Sequence, residues 1–261
     1  MLSKIIKISC VAAVALLLNA CVSVTETRYS KNNNPEKAAE TYVALAVGYL
    51  SQDKLILARQ KIDRAMALNP ENPSVHSVLA MYWLERGEIK LAEKAFVQAL
   101  DLDEEHSPSN YHYGLYLMSY KRDKRACEHL AIAAKDVDYS ARFLANENLG
   151  LCFMGQGDDS QAINAFEKAW VLDGDSTVSS LNLSRIYLKR NRVRLANNWF
   201  KRFEKTLTDN KVDHSAASLN VGLQLARALG NKNSAHSYGF KLKKRFPKSV
   251  EYKSYLSANK R

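Results

Sequence analysis

A chain of 261 residues with 46% hydrophobic content, but only 10 Gly and 5 Pro, is too apolar to be disordered and too poor in chain breakers to be loop-dominated or collagen-like. A formal charge of +11 directs attention to acidic partners, and 4 cysteines are too few for a disulfide-framed miniature fold.

The first element is a leader. Lys4 and Lys7 form a basic start, and the apolar run from Ile8 to Leu18 is too short to cross a bilayer as a helix. Residues 1–20 therefore read as a cleaved signal peptide. The run ends in Leu18-Asn19-Ala20-Cys21, which resembles the lipobox of bacterial lipoproteins; the resemblance implies that the Cys21 thiol carries a diacylglycerol and becomes the first mature residue. Each buried CH2 contributes about 0.8 kcal/mol, so several acyl chains on one cysteine make a lasting anchor. Val22, in place of an aspartate, implies by the same resemblance transfer to the outer membrane. Loss of Lys4 and Lys7 lowers the charge from +11 to +9. Residues 21–37 contain Thr25-Glu26-Thr27 and Lys31-Asn32-Asn33-Asn34-Pro35, show no apolar periodicity, and read as a flexible linker behind the lipid.

Residues 38–249 repeat themselves with a period near 34. The first copy supplies Leu45-Ala46, Tyr49, Ala58, Ile62 and Ala65, and the second Leu79-Ala80, Trp83, Ala92, Phe96 and Ala99. Tyr113-Gly114, Ala126 and Leu130 carry the third, Leu149-Gly150, Ala162 and Phe166 the fourth, and Leu183-Ser184, Ala196 and Phe200 the fifth. A degenerate sixth runs through Gly222-Leu223, Ala235, Leu242 and Pro247. This is the tetratricopeptide (TPR) pattern. It predicts an all-α, right-handed superhelix of about six helix-turn-helix repeats starting near residues 39, 73, 107, 143, 177 and 216, with no strands. Polar turns such as Gln52-Asp53, Arg86-Gly87-Glu88 and Gly155-Gln156-Gly157-Asp158 separate the helices of each unit, and residues 250–261 read as a basic C-terminal tail.

No enzyme template fits. The six histidines form no HExxH, no CxxC occurs, Ser160 stands where GxGxxG needs its last glycine, and Ser51-Gln52-Asp53-Lys54 lacks the companion motifs of an SxxK enzyme. We expect no catalysis, no metal and no cofactor beyond the covalent lipid. Cys127 and Cys152 fall on neighbouring helices of the third and fourth repeats. In an oxidising compartment pairing is favoured, the alternative being two buried thiols.

In a TPR stack the first helix of each repeat lines the concave face, where peptides lie by family resemblance. Counting in register places Val43, Val47 and Leu50 there from the first repeat, and Met81 and Leu84 from the second. Tyr111, Leu115 and Met118 follow from the third, and Leu144, Leu151 and Met154 from the fourth. The alternative is that some of these pack between helices. Arg185, Lys189 and Arg227 turn the far end basic.

With lipobox, linker and repeats, the segment Ala58-Arg59-Gln60-Lys61-Ile62-Asp63-Arg64-Ala65 before Asn69-Pro70, and the ending from Leu229 to Ser249, the chain resembles the PilF/PilW family of type IV pilus biogenesis lipoproteins. The resemblance implies a pilotin: a monomeric protein, lipid-anchored in the outer membrane and facing the periplasm, that binds subunits of a PilQ-like secretin and promotes their multimerisation. The rival reading is a TPR scaffold lipoprotein for cell-wall enzymes or outer-membrane protein assembly. Nucleic acid is not an expected partner of an exported chain.

Overall fold

The computed structural model describes residues 34–121 and 124–258; the expected signal peptide, Cys21 and most of the linker fall outside these described residues. Among them are thirteen α-helices and no strand. They form successive hairpins: α1 (Pro35–Leu50) with α2 (Leu55–Leu68), α3 (Pro73–Glu85) with α4 (Ile89–Leu102), and α5 (Ser107–Tyr116) with α6 (Arg125–Lys135). There follow α7 (Arg142–Gln156) with α8 (Asp159–Asp173), α9 (Thr177–Lys189) with α10 (Val193–Asp209), and α11 (Ala216–Ala228) with α12 (Lys232–Arg245). A last helix, α13 (Val250–Ala258), closes the stack, and α5 runs on into a π-helical turn, Leu117–Lys121. The chain is an all-α TPR superhelix.

Helix starts and stops follow from local chemistry. Asn34 accepts from the Glu36 N–H at 3.0 Å and Asn72 from the Ser74 N–H at 2.8 Å, each just before a proline whose missing N–H costs nothing at that position. Between the helices of each described hairpin turn, one residue takes positive φ: Asp53 (55°), Gly87 (74°), Gly157 (80°), Asn191 (56°) and Gly230 (70°). The residue after it donates its N–H back to the carbonyl five positions earlier, as Glu88 does to Trp83 and Arg192 to Tyr187, both at 2.8 Å. This Schellman closure satisfies carbonyls that the helix end leaves open.

Small residues let the hairpins close. Ala46, Ala80 and Ser184 are fully buried, and Gly114 and Gly150 lie so close to the partner helix that an added Cβ would sit 2.7 Å from Leu130 and from the Phe166 ring. The facing positions carry Ala58, Ala92, Ala126, Ala162 and Ala196, each no more than 1% exposed. Large residues one turn on, Ile62, Phe96, Leu130, Phe166 and Phe200, fill the space toward the next hairpin. Polar links also cross between repeats. Ser74 Oγ meets His106 Nε2 at 3.0 Å and buried Glu147 accepts from Ser176 and Ser179, while within the third hairpin Ser107 donates to Asp136.

The sixth hairpin departs from the pattern. Gly239 stands where the other second helices carry a large residue, and Leu242 where the first four carry alanine. The gap over Gly239 is taken by Tyr255 of α13, 2.7 Å from where a Cβ would be, while Tyr252 is buried against Leu219, Leu223 and Leu242. The stretch read as a basic tail is therefore, through Ala258, a docked helix. Two tyrosines at i,i+3 give it an apolar side that the charge count hides.

Candidate partner groove and the clasp between repeats

The first helices of the hairpins pack side by side, α1 on α3 and α3 on α5, then α7 on α9 and α9 on α11, the two runs being bridged where Asn148 of α7 donates to the Tyr111 hydroxyl of α5. The N-terminal half of this face is apolar but partly closed. Val47 is 40% exposed, whereas Val43 and Met81 are half-buried on the cluster of Ala46, Ile62 and Tyr82. Leu84, Leu115, Met118 and Leu144 are half-buried on the cluster around Phe96, Tyr116 and Leu130. Leu151 and Met154 rest on Phe166 and Leu183.

Two of the expected groove residues belong to the core instead. Leu50, 9% exposed, ends α1 and packs among Ala58, Ile62 and Val78. Tyr111, also 9% exposed, lies under Tyr139 from the α6–α7 connection, with ring centroids 6.1 Å apart, and its hydroxyl accepts from Asn148 Nδ2 at 3.3 Å. Burial, with Glu147 behind it, pushes the Tyr111 phenol up, so it stays neutral. Helical register identifies which side of a helix faces the groove; a neighbouring loop decides whether that side is covered.

The C-terminal half is polar. Arg185 and Lys189 line a cavity of about 370 Å³ between α9 and α11, floored by Leu181, Leu188 and Val221 and reached by Glu251 from α13. Lys189 is held by Asp159 at 2.8 Å, an exposed cation against a shielded acid, whereas Arg185 makes no ion pair among the described residues. Arg227 lies elsewhere, 5.5 Å over the Tyr255 ring, beside a second cavity of about 400 Å³ shared with Lys232 and His236. Asn182 and Asn220, also in the first cavity, were not singled out in the sequence. Their signal is positional: Asn148, Asn182 and Asn220 each precede by two residues the buried small residue of their repeat, Gly150, Ser184 or Gly222. Asn148 and Asn182 each donate to the carbonyl four residues back at 2.9 Å, which fixes the amide plane at the groove surface.

Cys127 of α6 and Cys152 of α7 are joined in a disulfide, with Cα atoms 5.6 Å apart, and both are buried. It clasps the third repeat to the fourth beneath the apolar half of the groove. No group of three or more His, Cys, Asp and Glu side chains among the described residues is arranged to hold a metal ion. Two of the histidines serve packing: His106 bridges Ser74 and Ser109, and His129 meets Asn110 at 2.8 Å. Burial, with the His106 charge second, holds the His112 ring down at about 4. Ser51 and Lys54 of the SxxK match are occupied in the α1–α2 turn, Ser51 on the Gly48 carbonyl at 2.9 Å and Lys54 on Gln52 at 2.7 Å.

No protein-family model matches the chain. The type IV pilus assembly protein PilF of Pseudomonas aeruginosa PAO1 is 28% identical over 248 residues, which cover 92% of this chain and 96% of PilF. The solved structure of P. aeruginosa PilF superposes with a TM-score of 0.77 at 27% identity, covering 86% of this chain and 99% of that one. PilW, a widely conserved type IV pilus biogenesis factor, shares the fold with a TM-score of 0.68 at 23% identity over 84% of this chain and 98% of its own. Sequence and fold together align this chain, along nearly its whole length, with the PilF/PilW family of TPR proteins.

Proposed function

We propose that this chain is an outer-membrane lipoprotein of type IV pilus biogenesis that acts as a pilotin, binding secretin subunits and promoting their multimerisation at the membrane. The observation that carries the reading is the end-to-end likeness to PilF, a type IV pilus assembly protein. The leader and Cys21 support a lipid address. The first four hairpins support a client-binding role: Val47 exposed, and Met81, Leu84, Leu115 and Met154 half-buried, offer a shallow apolar strip. An apolar segment of a secretin subunit laid along that strip leaves water until it inserts, and methionine repacks readily around varied side chains. The chain has no catalytic role in this reading; it holds a partner in place.

Deleting the gene and probing denaturing gels of cell envelopes for heat-resistant secretin multimers tests the function. Loss of multimers, restored by the wild-type gene but not by Cys21→Ala, supports a lipid-addressed pilotin. Multimers unchanged in amount and location leave a TPR protein with a different client.

A further inference from the structure

The outer surface of the molecule, formed by the second helix of each hairpin, is not uniform. Helices α10 and α12 together carry nine Lys or Arg against two acids, Glu204 and Asp209. Both acids are engaged: Glu204 accepts from the Tyr238 hydroxyl at 2.6 Å, and Asp209 holds Lys205 at 2.6 Å. Arg245 pairs with Asp213 at 2.9 Å. That leaves Arg194, Lys201, Arg202, Lys232, Lys241, Lys243 and Lys244 exposed and without an ion pair among the described residues. By contrast, α4 balances Lys90 and Lys94 with Glu93 and Asp101, and α8 is acidic.

Apolar side chains stand among these cations. Leu195 is 45% exposed and Phe240 57% exposed. Trp199 is half-buried, with the Arg202 guanidinium 4.3 Å over its ring. Leu195, Trp199 and Arg202 follow one another at i, i+4 and i+7 along one edge of α10, and Phe240 and Lys244 share the outer stripe of α12. The face thus presents ridges of one charge sign tipped by single apolar residues. A protein hot spot gathers its anchors into one dry centre within a mixed polar rim. Dispersed Leu, Trp and Phe tips in a field of Lys and Arg instead match a surface of uniform negative charge with an apolar layer just beneath it.

We propose that the α10–α12 outer face docks on anionic lipid head groups, a second membrane contact independent of any acyl chain. It turns the groove of the opposite face away from the bilayer. The test uses a chain starting at Ser23, which lacks the leader and Cys21 but keeps all the described helices, in flotation with phosphatidylcholine vesicles with or without phosphatidylglycerol. Binding is expected only to the anionic vesicles, and it weakens as salt rises. Lys243→Glu/Lys244→Glu lowers the affinity by about fivefold or more per reversed cation, and Phe240→Ser weakens it further. The double variant Arg64→Glu/Lys94→Glu, which changes net charge equally on the outer helices α2 and α4, leaves binding unchanged. Equal binding to both vesicle types, equal loss in the two double variants, or loss of an acidic envelope protein from the Lys243→Glu/Lys244→Glu variant with vesicle binding intact each overturns the proposal.

Discussion

Gly150 and Gly155 lie five residues apart on α7, and the structure assigns them opposite roles. A Cβ on Gly150 would stand 2.7 Å from the Phe166 ring, whereas one on Gly155 would meet nothing within 4 Å. Gly150→Ala is therefore expected to lower stability by about 1–3 kcal/mol through overpacking, and Gly155→Ala to leave it unchanged or raise it by up to about 1 kcal/mol through helix propensity. Thermal unfolding of the two variants decides between them. His112 supplies a pH signature at the same scale. Its folded pKa of about 4 lies below the unfolded 6.5, so it adds nothing above pH 6.5 and erodes stability as pH falls from 6.5 toward 4. The slope it contributes is at most about 1.4 kcal/mol per pH unit, and His112→Gln should flatten the denaturant midpoint against pH in that window. The buried glycines could be read from the sequence, since Gly114 and Gly150 fall at the repeat's small position. The covering of Tyr111 by Tyr139 could not, because it depends on a loop 28 residues downstream whose path no periodicity encodes.

At the scale of the element, the five described hairpin turns share one closure but not one residue. Gly87, Gly157 and Gly230 take positive φ freely, while Asp53 and Asn191 adopt it with a side chain. Gly157→Ala should cost about 1 kcal/mol, and Asn191→Gly should be neutral or slightly stabilising; denaturant melts that rank the two the other way would contradict the turn assignment. Five of the six hairpins were legible because small and large residues recur in a fixed order along both helices. The sixth was blurred where that order breaks at Gly239 and Leu242, and α13 was missed because a nine-residue segment is short and Glu251 and Lys253 flank the first of the pair Tyr252 and Tyr255. Their chemistry predicts that truncation after Lys248, which uncovers Leu219, Leu223 and Leu242, lowers the melting temperature by several degrees.

For the whole molecule, the clasp between Cys127 and Cys152 closes a sequence separation of 25 residues, worth about 3 kcal/mol in chain-entropy terms. Reduction, or Cys127→Ser with Cys152→Ser, is expected to lower global stability by that order. In a stack where each repeat touches only its neighbours, the loss should show as faster hydrogen exchange in α6 and α7 before α1 or α12 responds. Uniform acceleration along the chain would mean that the array unfolds as one body. The sequence favoured this pairing, with two packed cysteines as the alternative, and the bond is formed.

A stack of like hairpins has no built-in length, since every added unit presents the face that accepts the next. Here the terminus is defined by a single exchange: Gly239 gives up its large side chain and Tyr255 takes the vacated room, filling the position that a further hairpin would otherwise enter. The array is thus sealed at its carboxy-terminal end by a side chain from outside the repeat pattern, so it has a direction: among the described residues, growth of the stack stops at α13.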